Sequence, residues 1–389
     1  MKKYITISFA LVLISICKPI SAQVTIGSGN KPVEGALLQL TEGATTTKGL
    51  GLPRVALEDT NALLPMLPPA QATDPSKMKE HTGIVVYNVN ECLNIGYAGK
   101  GVFVWDGASW KKISEWTGGT VVGKSGKTYR TAKFGEAGEW MIENLAETEY
   151  DNGGSSILTL DYRTLSETNY ALQYYYYPSD KSLTGNAVTD SEYYNKYKNS
   201  GVGLLYTWAA ATDGANSDRY ATPGKPSEPI TKIQGLCPRG WHIPSDYDWG
   251  RLDKELAEHP YLYSSVTTPT AFDEVNTSTG YWRNPNNSTW YGEQGWAMKS
   301  SCGMPGSSIV TGGKSSPTNG FNILLIGLIR LNASTNNTFD FGNASFFWAS
   351  TDQSDTIGFY RGYQASNGAS GRGRSYSKAN LHSIRCKKE

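Results

Sequence analysis

Eight residues of this sequence fit a phosphate-binding expression to the letter: Gly118-Gly119-Thr120-Val121-Val122-Gly123-Lys124-Ser125. In a nucleotide site the amides of such a run wrap phosphate, and a helix starts directly after it with its N-terminus facing the anion. That context is missing here. The stretch from Trp110 to Trp116 is polar-rich, and Gly126 followed by Lys127 to Phe134 alternates as β-structure does. Neither a nucleotide nor phosphoryl chemistry is expected.

The remaining reactive side chains are sparse. The four histidines, His81, His242, His259 and His382, have no metal-ligand spacing with one another or with a cysteine pair, so no metal is expected. There is no Gly-x-Ser-x-Gly elbow, and spacing assigns no Ser-His-Asp set. Asp246/Asp248 and Asp273/Glu274 could serve glycoside hydrolysis, which needs two acids across a cleft. Closeness in sequence does not make a cleft, and Asp246 and Asp248 are better explained as first-turn helix acids. An aromatic surface is left: Tyr174 to Tyr177, Tyr281, Trp282, Trp290, Tyr291 and Trp296, in segments rich in Asn, Ser and Gly. Flat rings among adaptable polar groups suit sugars or protein partners, although for any single ring a place in a β-rich core is the simpler role.

These residues need elements to position them. The clearest is a helix over 246–258: Ser245 caps it, Asp248 three positions on completes a capping box, and Trp249, Leu252 and Leu256 share one face until His259-Pro260 ends it. Elsewhere the chain reads as short strands broken by Gly and Pro. Thr82 to Asn88 is a strand, and Asp106-Gly107 turns a hairpin within 101–110. Leu63 to Met78 reads as an irregular connection, and 150–200, which holds the Tyr174 to Tyr177 run, as a solvent-facing insertion.

The 389 residues include 42 Gly, 24 Tyr and 11 Trp with only 18% charged residues, a β-rich and loop-rich extracellular composition. Lys2 and Lys3, an apolar run from Ile5 to Ile16, and Ala22 before Gln23 form a secretory signal over 1–22. Ile16 stands where a lipoprotein signal needs a small residue, so Cys17 leaves with the signal. Its removal takes three lysines and no acid, moving the net charge from +1 to −2. Nothing in that balance suggests nucleic acid. The mature chain is expected to be exported, and either secreted or held at the cell surface or outer membrane. Two domains are expected, 23–115 and 116–389.

From about residue 120 the motifs come in a specific order. Trp140-Met141-Ile142-Glu143-Asn144-Leu145 precedes Gly203-Leu204-Leu205-Tyr206-Thr207-Trp208-Ala209-Ala210-Ala211, and Cys237-Pro238-Arg239-Gly240-Trp241-His242-Ile243-Pro244-Ser245-Asp246 follows. Thr318-Asn319-Gly320-Phe321, Phe347-Trp348-Ala349-Ser350-Thr351 and Ser383-Ile384-Arg385-Cys386 complete the series. This series resembles the Fibrobacter succinogenes major paralogous (FISUMP) domain. The family is similar to C-type-lectin-like and formylglycine-generating-enzyme folds, and the resemblance implies an α+β fold with one main helix packed on twisted antiparallel sheets. It gives Trp140, Asn144, Trp208, Trp241, His242, Pro244, Trp249 and Trp348 structural roles. It also implies a disulfide between Cys237 and Cys386. Cys92 and Cys302 lie outside the family pattern, and three options stay open for them: a pair across domains, a pair between chains, or free thiols. The calcium-sugar motif of the lectins is absent, Asn284-Pro285-Asn286-Asn287 being a loose echo without an acidic ligand.

The first domain reads as a small all-β module. Leu38-Gln39-Leu40, Lys48-Gly49-Leu50-Gly51-Leu52-Pro53-Arg54, Gly83-Ile84-Val85-Val86-Tyr87-Asn88 and Trp105-Asp106-Gly107-Ala108-Ser109-Trp110 resemble N-terminal regions of Bacteroidetes surface proteins. Similar pieces occur in tail-fibre-like proteins, where neighbouring chains complete the fold. The expectation is a non-catalytic, adhesin-like module without a cofactor, holding a glycan or surface-protein ligand on Tyr281, Trp282, Trp290, Tyr291 and Trp296. The alternatives are a fibre or pilus subunit that assembles through its N-terminal module, and a formylglycine-generating-like oxidase.

Overall fold

A computed structural model of the protein describes residues 24–28, 31–41, 49–92, 99–113, 118–153, 158–159, 169–180, 197, 201–216, 231–270, 290–291, 293–304, 307, 309, 311–317, 319–331, 337–368 and 370–389. At 158–159, 290–291, 337–339 and 374–375 the description is of the backbone alone. The expected signal over 1–22 lies outside these residues. Compactness divides the chain into two units, 1–53 and 54–389. In the first, β1 (Val24–Ile26) and β2 (Leu38–Leu40) form a parallel ribbon.

The second unit opens with a sheet of β3 (Arg54–Val55), β4 (Val85–Asn88), β5 (Gly101–Trp105) and β6 (Trp110–Lys112) in that order. Strands β5 and β6 are the expected hairpin. Asp106 accepts from the amides of Ala108 and Ser109 at 2.9 and 2.7 Å, and Gly107 takes a φ of 99° that suits a residue without Cβ. Trp105 and Trp110 meet edge-on at 5.4 Å, above Leu57, Leu63, Val86 and Phe103. The all-strand expectation for this part is corrected by two short helices, α1 (Pro69–Ala72) and α2 (Pro75–Glu80). Both prolines sit in first turns, where the missing N–H would have had no partner, and Asp74 caps α2 through the amides of Ser76 and Lys77.

Strands β7 (Gly119–Val122), β8 (Thr128–Phe134) and β9 (Gly138–Met141) follow as antiparallel neighbours. The phosphate-loop-like run is therefore β7 and its turn into β8, with no helix after it. The amide and hydroxyl of Ser125 donate to the Glu147 carboxylate at 2.7 and 2.9 Å, so the protein's own anion occupies these donors.

Next come β10 (Leu158–Thr159), β11 (Tyr174–Tyr176), β12 (Leu205–Tyr206), α3 (Trp208–Thr212), β13 (Trp241–His242) and α4 (Asp246–Glu258). They are followed by β14 (Trp290–Tyr291), α5 (Gln294–Met298), β15 (Leu328–Arg330) and β16 (Asn337–Phe339). The chain ends with β17 (Ala344–Asp352), β18 (Ile357–Gln364), β19 (Ser370–Ser377) and β20 (Lys387–Lys388). The result is mixed, mostly sheet with few helices. The reading of 150–200 as solvent-facing is corrected at the tyrosine run: β11 is the middle strand of a three-stranded sheet, and Tyr174 and Tyr176 are buried with Leu324, Ile326 and Leu381. Alternation explains it, since every second ring of a strand faces the same side.

Helix α4 has the expected bounds. Both bonds of the Ser245/Asp248 capping box are present, and Trp249, Leu252 and Leu256 are fully buried. They pack with Phe134 and Trp140 of one sheet, Phe347 of the other, and Phe321. The first sheet has the order β13-β20-β9-β8-β7 and the second β14-β19-β18-β17. The C-terminal strand β20 thus lies between β13 and β9, and the Cys237–Cys386 disulfide ties it to the approach of the helix, Cα to Cα 5.8 Å. A second disulfide joins Cys92 to Cys302, Cα to Cα 5.3 Å, which settles the open pairing within one chain.

Candidate functional site

The motif residues meet one another inside the protein. Asn144 donates to the Val202 carbonyl at 3.0 Å and accepts from Arg385 Nε at 2.9 Å, while the Arg385 guanidinium lies 4.5 Å from the Phe321 ring centre. Three separated motifs close into one buried node. Around the helix start, Asp248 accepts from the Ser245 amide and hydroxyl at 2.8 and 2.7 Å and from Lys387 Nζ at 2.5 Å, with His242 Nε2 at 3.4 Å. Burial alone would raise this carboxyl, but His242 and Lys387 outweigh it and hold it well below the ordinary range. Asp246 accepts from Arg361 at 2.5 Å and from Arg372 at 2.5 and 2.8 Å; burial opposes its charge, yet the two guanidiniums bring it down to about 2. Both carboxylates are buried and engaged in the architecture, so the Asp246/Asp248 pair does not flank a cleft.

An open cleft of about 490 Å³ lies instead at the start of α3. Thr207 caps this one-turn helix by accepting from the Ala210 amide, and that placement seats Trp208 as the first helical residue. The indole N–H donates to the Ala349 carbonyl at 2.9 Å, and Gly358 fits against the ring edge, where a Cβ would come within 2.8 Å. Lys378 Nζ stands 3.7 Å from the centre of the ring and 2.6 Å from Asp352 Oδ2. Asp355, Asn169, Asn216 and Tyr170 line the same cleft. The ring face is covered by an ammonium, so the cleft offers carboxylate, amide and phenol groups rather than a bare stacking platform. The exposed lining is mostly apolar, so these polar groups are set in an apolar frame, the usual make-up of a small-ligand cleft. Among the described residues, no group of three or more His, Cys, Asp and Glu side chains is placed to hold a metal ion.

The Fibrobacter succinogenes major domain matches residues 136–388, well over half of the chain. The protein belongs to that family. A second match, to a phage tail like trimerisation region, covers residues 25–127. No curated protein and no solved structure matches the chain. Together the two matches indicate a surface or structural protein, with homo-oligomerisation suggested by the second.

Within the Fibrobacter succinogenes major domain, the ring cluster expected to bind ligand is only partly described. Tyr281 and Trp282 lie outside the described residues, as does the Asn284-Pro285-Asn286-Asn287 echo. Trp290 and Tyr291 form β14, paired with Gly371 and Ser370 of β19. Trp296, on α5, is half-buried and held by packing: a Cβ at Gly312 or Gly368 would land about 2 Å from its ring, and Lys299 Nζ is 3.9 Å from the ring centre. Burial brings the Lys299 ammonium down to about 7, although it donates to the Asn367 carbonyl at 2.8 Å. Trp140, Trp208, Trp241, His242, Trp249 and Trp348 are all buried. Asp352, Asp355 and Lys378 were missing from the sequence reading because no local spacing links them to Trp208, from which more than 140 positions separate them.

Proposed function

We propose that this protein is an exported recognition module of Bacteroidetes type, displayed at the cell surface or secreted, which holds a glycan or surface-protein ligand without catalysis. The observation that carries the reading is the Trp208 cleft, an open hollow with a mostly apolar lining in which Asp355, Asn169, Asn216 and Tyr170 supply the polar groups, in a unit closed by two disulfides. A C-type-lectin-like arrangement is supported by the one long helix among the described residues, packed between two antiparallel sheets, and by the bridge from the helix approach to the last strand. Disulfide-closed domains fit an oxidising exterior. An oxidase of the formylglycine-generating kind would need a reactive thiol, and Cys302 is bonded to Cys92.

The test is a glycan and host-matrix array with the purified protein, repeated with Asp355→Asn, with Trp282→Ala plus Trp290→Ala, and with chelator. Binding that survives chelation and the double tryptophan change but falls at least tenfold in Asp355→Asn assigns the ligand to the cleft. Loss in the tryptophan variant alone moves it to the 281–296 segment. A second reading, a structural subunit of a fibre or pilus, is favoured by the trimerisation-region match. Silence on every ligand, with the folded state intact, shifts the proposal to that subunit role.

A further inference from the structure

A second cleft, of about 370 Å³, opens at the end of the β11–β12 pair away from Trp208. Lys127, Thr148, Tyr177, Tyr197 and Leu204 line it. The antiparallel register sets Tyr176 opposite Leu205, which brings Tyr177 and Leu204 together where the pairing stops. Backbone bonds fix the frame: the Leu204 amide donates to the Leu145 carbonyl at 2.9 Å, and the Gly123 amide to the Lys127 carbonyl at 2.8 Å. Gly203, at a φ of 92°, lies so close to Asn144 that a Cβ would come within 2.4 Å of its side chain. Lys127 has no anionic partner of its own. Its ammonium stands 5.0 Å from the centre of the Tyr129 ring, and among the described residues it makes no hydrogen bond or ion pair. The two acids whose charge reaches it are bonded elsewhere: Glu147 accepts from Ser125 and from the Tyr129 hydroxyl, both at 2.7 Å, and Glu143 pairs with Arg130 at 3.4 Å. Burial pulls the ammonium below its ordinary range by more than Glu143 and Glu147 restore. The Thr148 hydroxyl also lacks a partner among the described residues.

We propose that this cleft binds a saccharide bearing an acid group, carboxylate or sulfate, with the acid on Lys127, a sugar hydroxyl on Thr148 and the sugar face against Tyr177. A charge-assisted bond from a partly desolvated ammonium selects an acidic sugar over a neutral one. The Thr148 hydroxyl both donates and accepts, as a sugar hydroxyl does. Tyr177 is half-buried, and its ring offers a flat apolar face with a polar tip. The volume is at the small end of ligand clefts, short of the surface that peptide recognition uses to lay down a strand or helix. No lining residue is shared with the Trp208 cleft, so this site stands independently of ligand binding there.

Titration calorimetry on the full chain tests it with trigalacturonate, its methyl ester, a sulfated galactose trisaccharide and a triaspartate peptide. The expected result is heat of binding from an acid sugar and none from the ester. Lys127→Met weakens that binding about tenfold or more, the loss of one bond to a charged group. Lys127→Arg, which keeps the charge, retains most of it, and Lys79→Met, at an exposed lysine outside the cleft, leaves it unchanged. Binding of the sulfated sugar alone names the acid as sulfate. The proposal is overturned if the ester binds as well as the acid, if Lys127→Met keeps wild-type affinity, if the peptide binds more tightly than either acid sugar, or if neither acid sugar binds. Urea midpoints are read for every variant. Should Lys127→Met prove unstable, Thr148→Val carries the test, with a smaller loss of affinity for the same sugar expected and an unchanged affinity overturning the assignment.

Discussion

Asp246 shows how much of this fold turns on one carboxylate. Replacing it with Asn would leave Arg361 and Arg372 buried with their main counter-charge gone, and removal of one partner from such a network costs about 3–5 kcal/mol. Asp253, 3.3 Å from Arg361, softens the loss, so the lower end is expected for Asp246→Asn in urea titrations. The pH dependence follows from the same charges. The folded carboxyl titrates at about 2, below its ordinary 3.8, so its contribution is fully present above that ordinary value and is lost as pH falls through about 2. The wild type should lose stability steeply below pH ~4, and Asp246→Asn should show a shallower acid limb, with Asp248 supplying the remainder.

At the scale of elements, α4 organises the core of the 54–389 unit, and its cap can be tested alone. Ser245→Ala removes the hydroxyl that accepts from the Asp248 amide, with an expected loss of about 1 kcal/mol, seen as a lower urea midpoint at unchanged slope. The helix was legible because its signals are local: a cap, an acid three residues on, and apolar residues one and two turns apart. The short helices α1 and α2 were not, because prolines read as breakers are tolerated in a first turn. The tyrosine run misled for a related reason. Tyr174 to Tyr177 lies among polar residues, and burial of Tyr174 and Tyr176 depends on Leu324, Ile326 and Leu381, at least 140 positions away, coming to cover them.

For the whole molecule, the Cys237–Cys386 bridge spans 149 positions and ties the last strand to the approach of α4. Opening so long a loop, by Cys237→Ser with Cys386→Ser, should cost about 4–5 kcal/mol on the chain-entropy account, measured against the wild type in denaturant without reductant.

The sequence by itself determined the ordered motifs of the Fibrobacter succinogenes major domain, the bounds and buried face of α4, the hairpin at Asp106-Gly107, and the absence of a helix after the phosphate-loop-like run. All of these rest on residue types within a few positions or on motif order along the chain. The tertiary structure decided what depends on distant residues meeting. Asp246 with Arg361 and Arg372, Asn144 with Arg385, Cys92 with Cys302, and Trp208 with Lys378 and Asp352 all span more than a hundred positions. Electrostatic attraction, burial and disulfide closure act through space, and only the folded arrangement of the sheets brings such partners within a few ångströms.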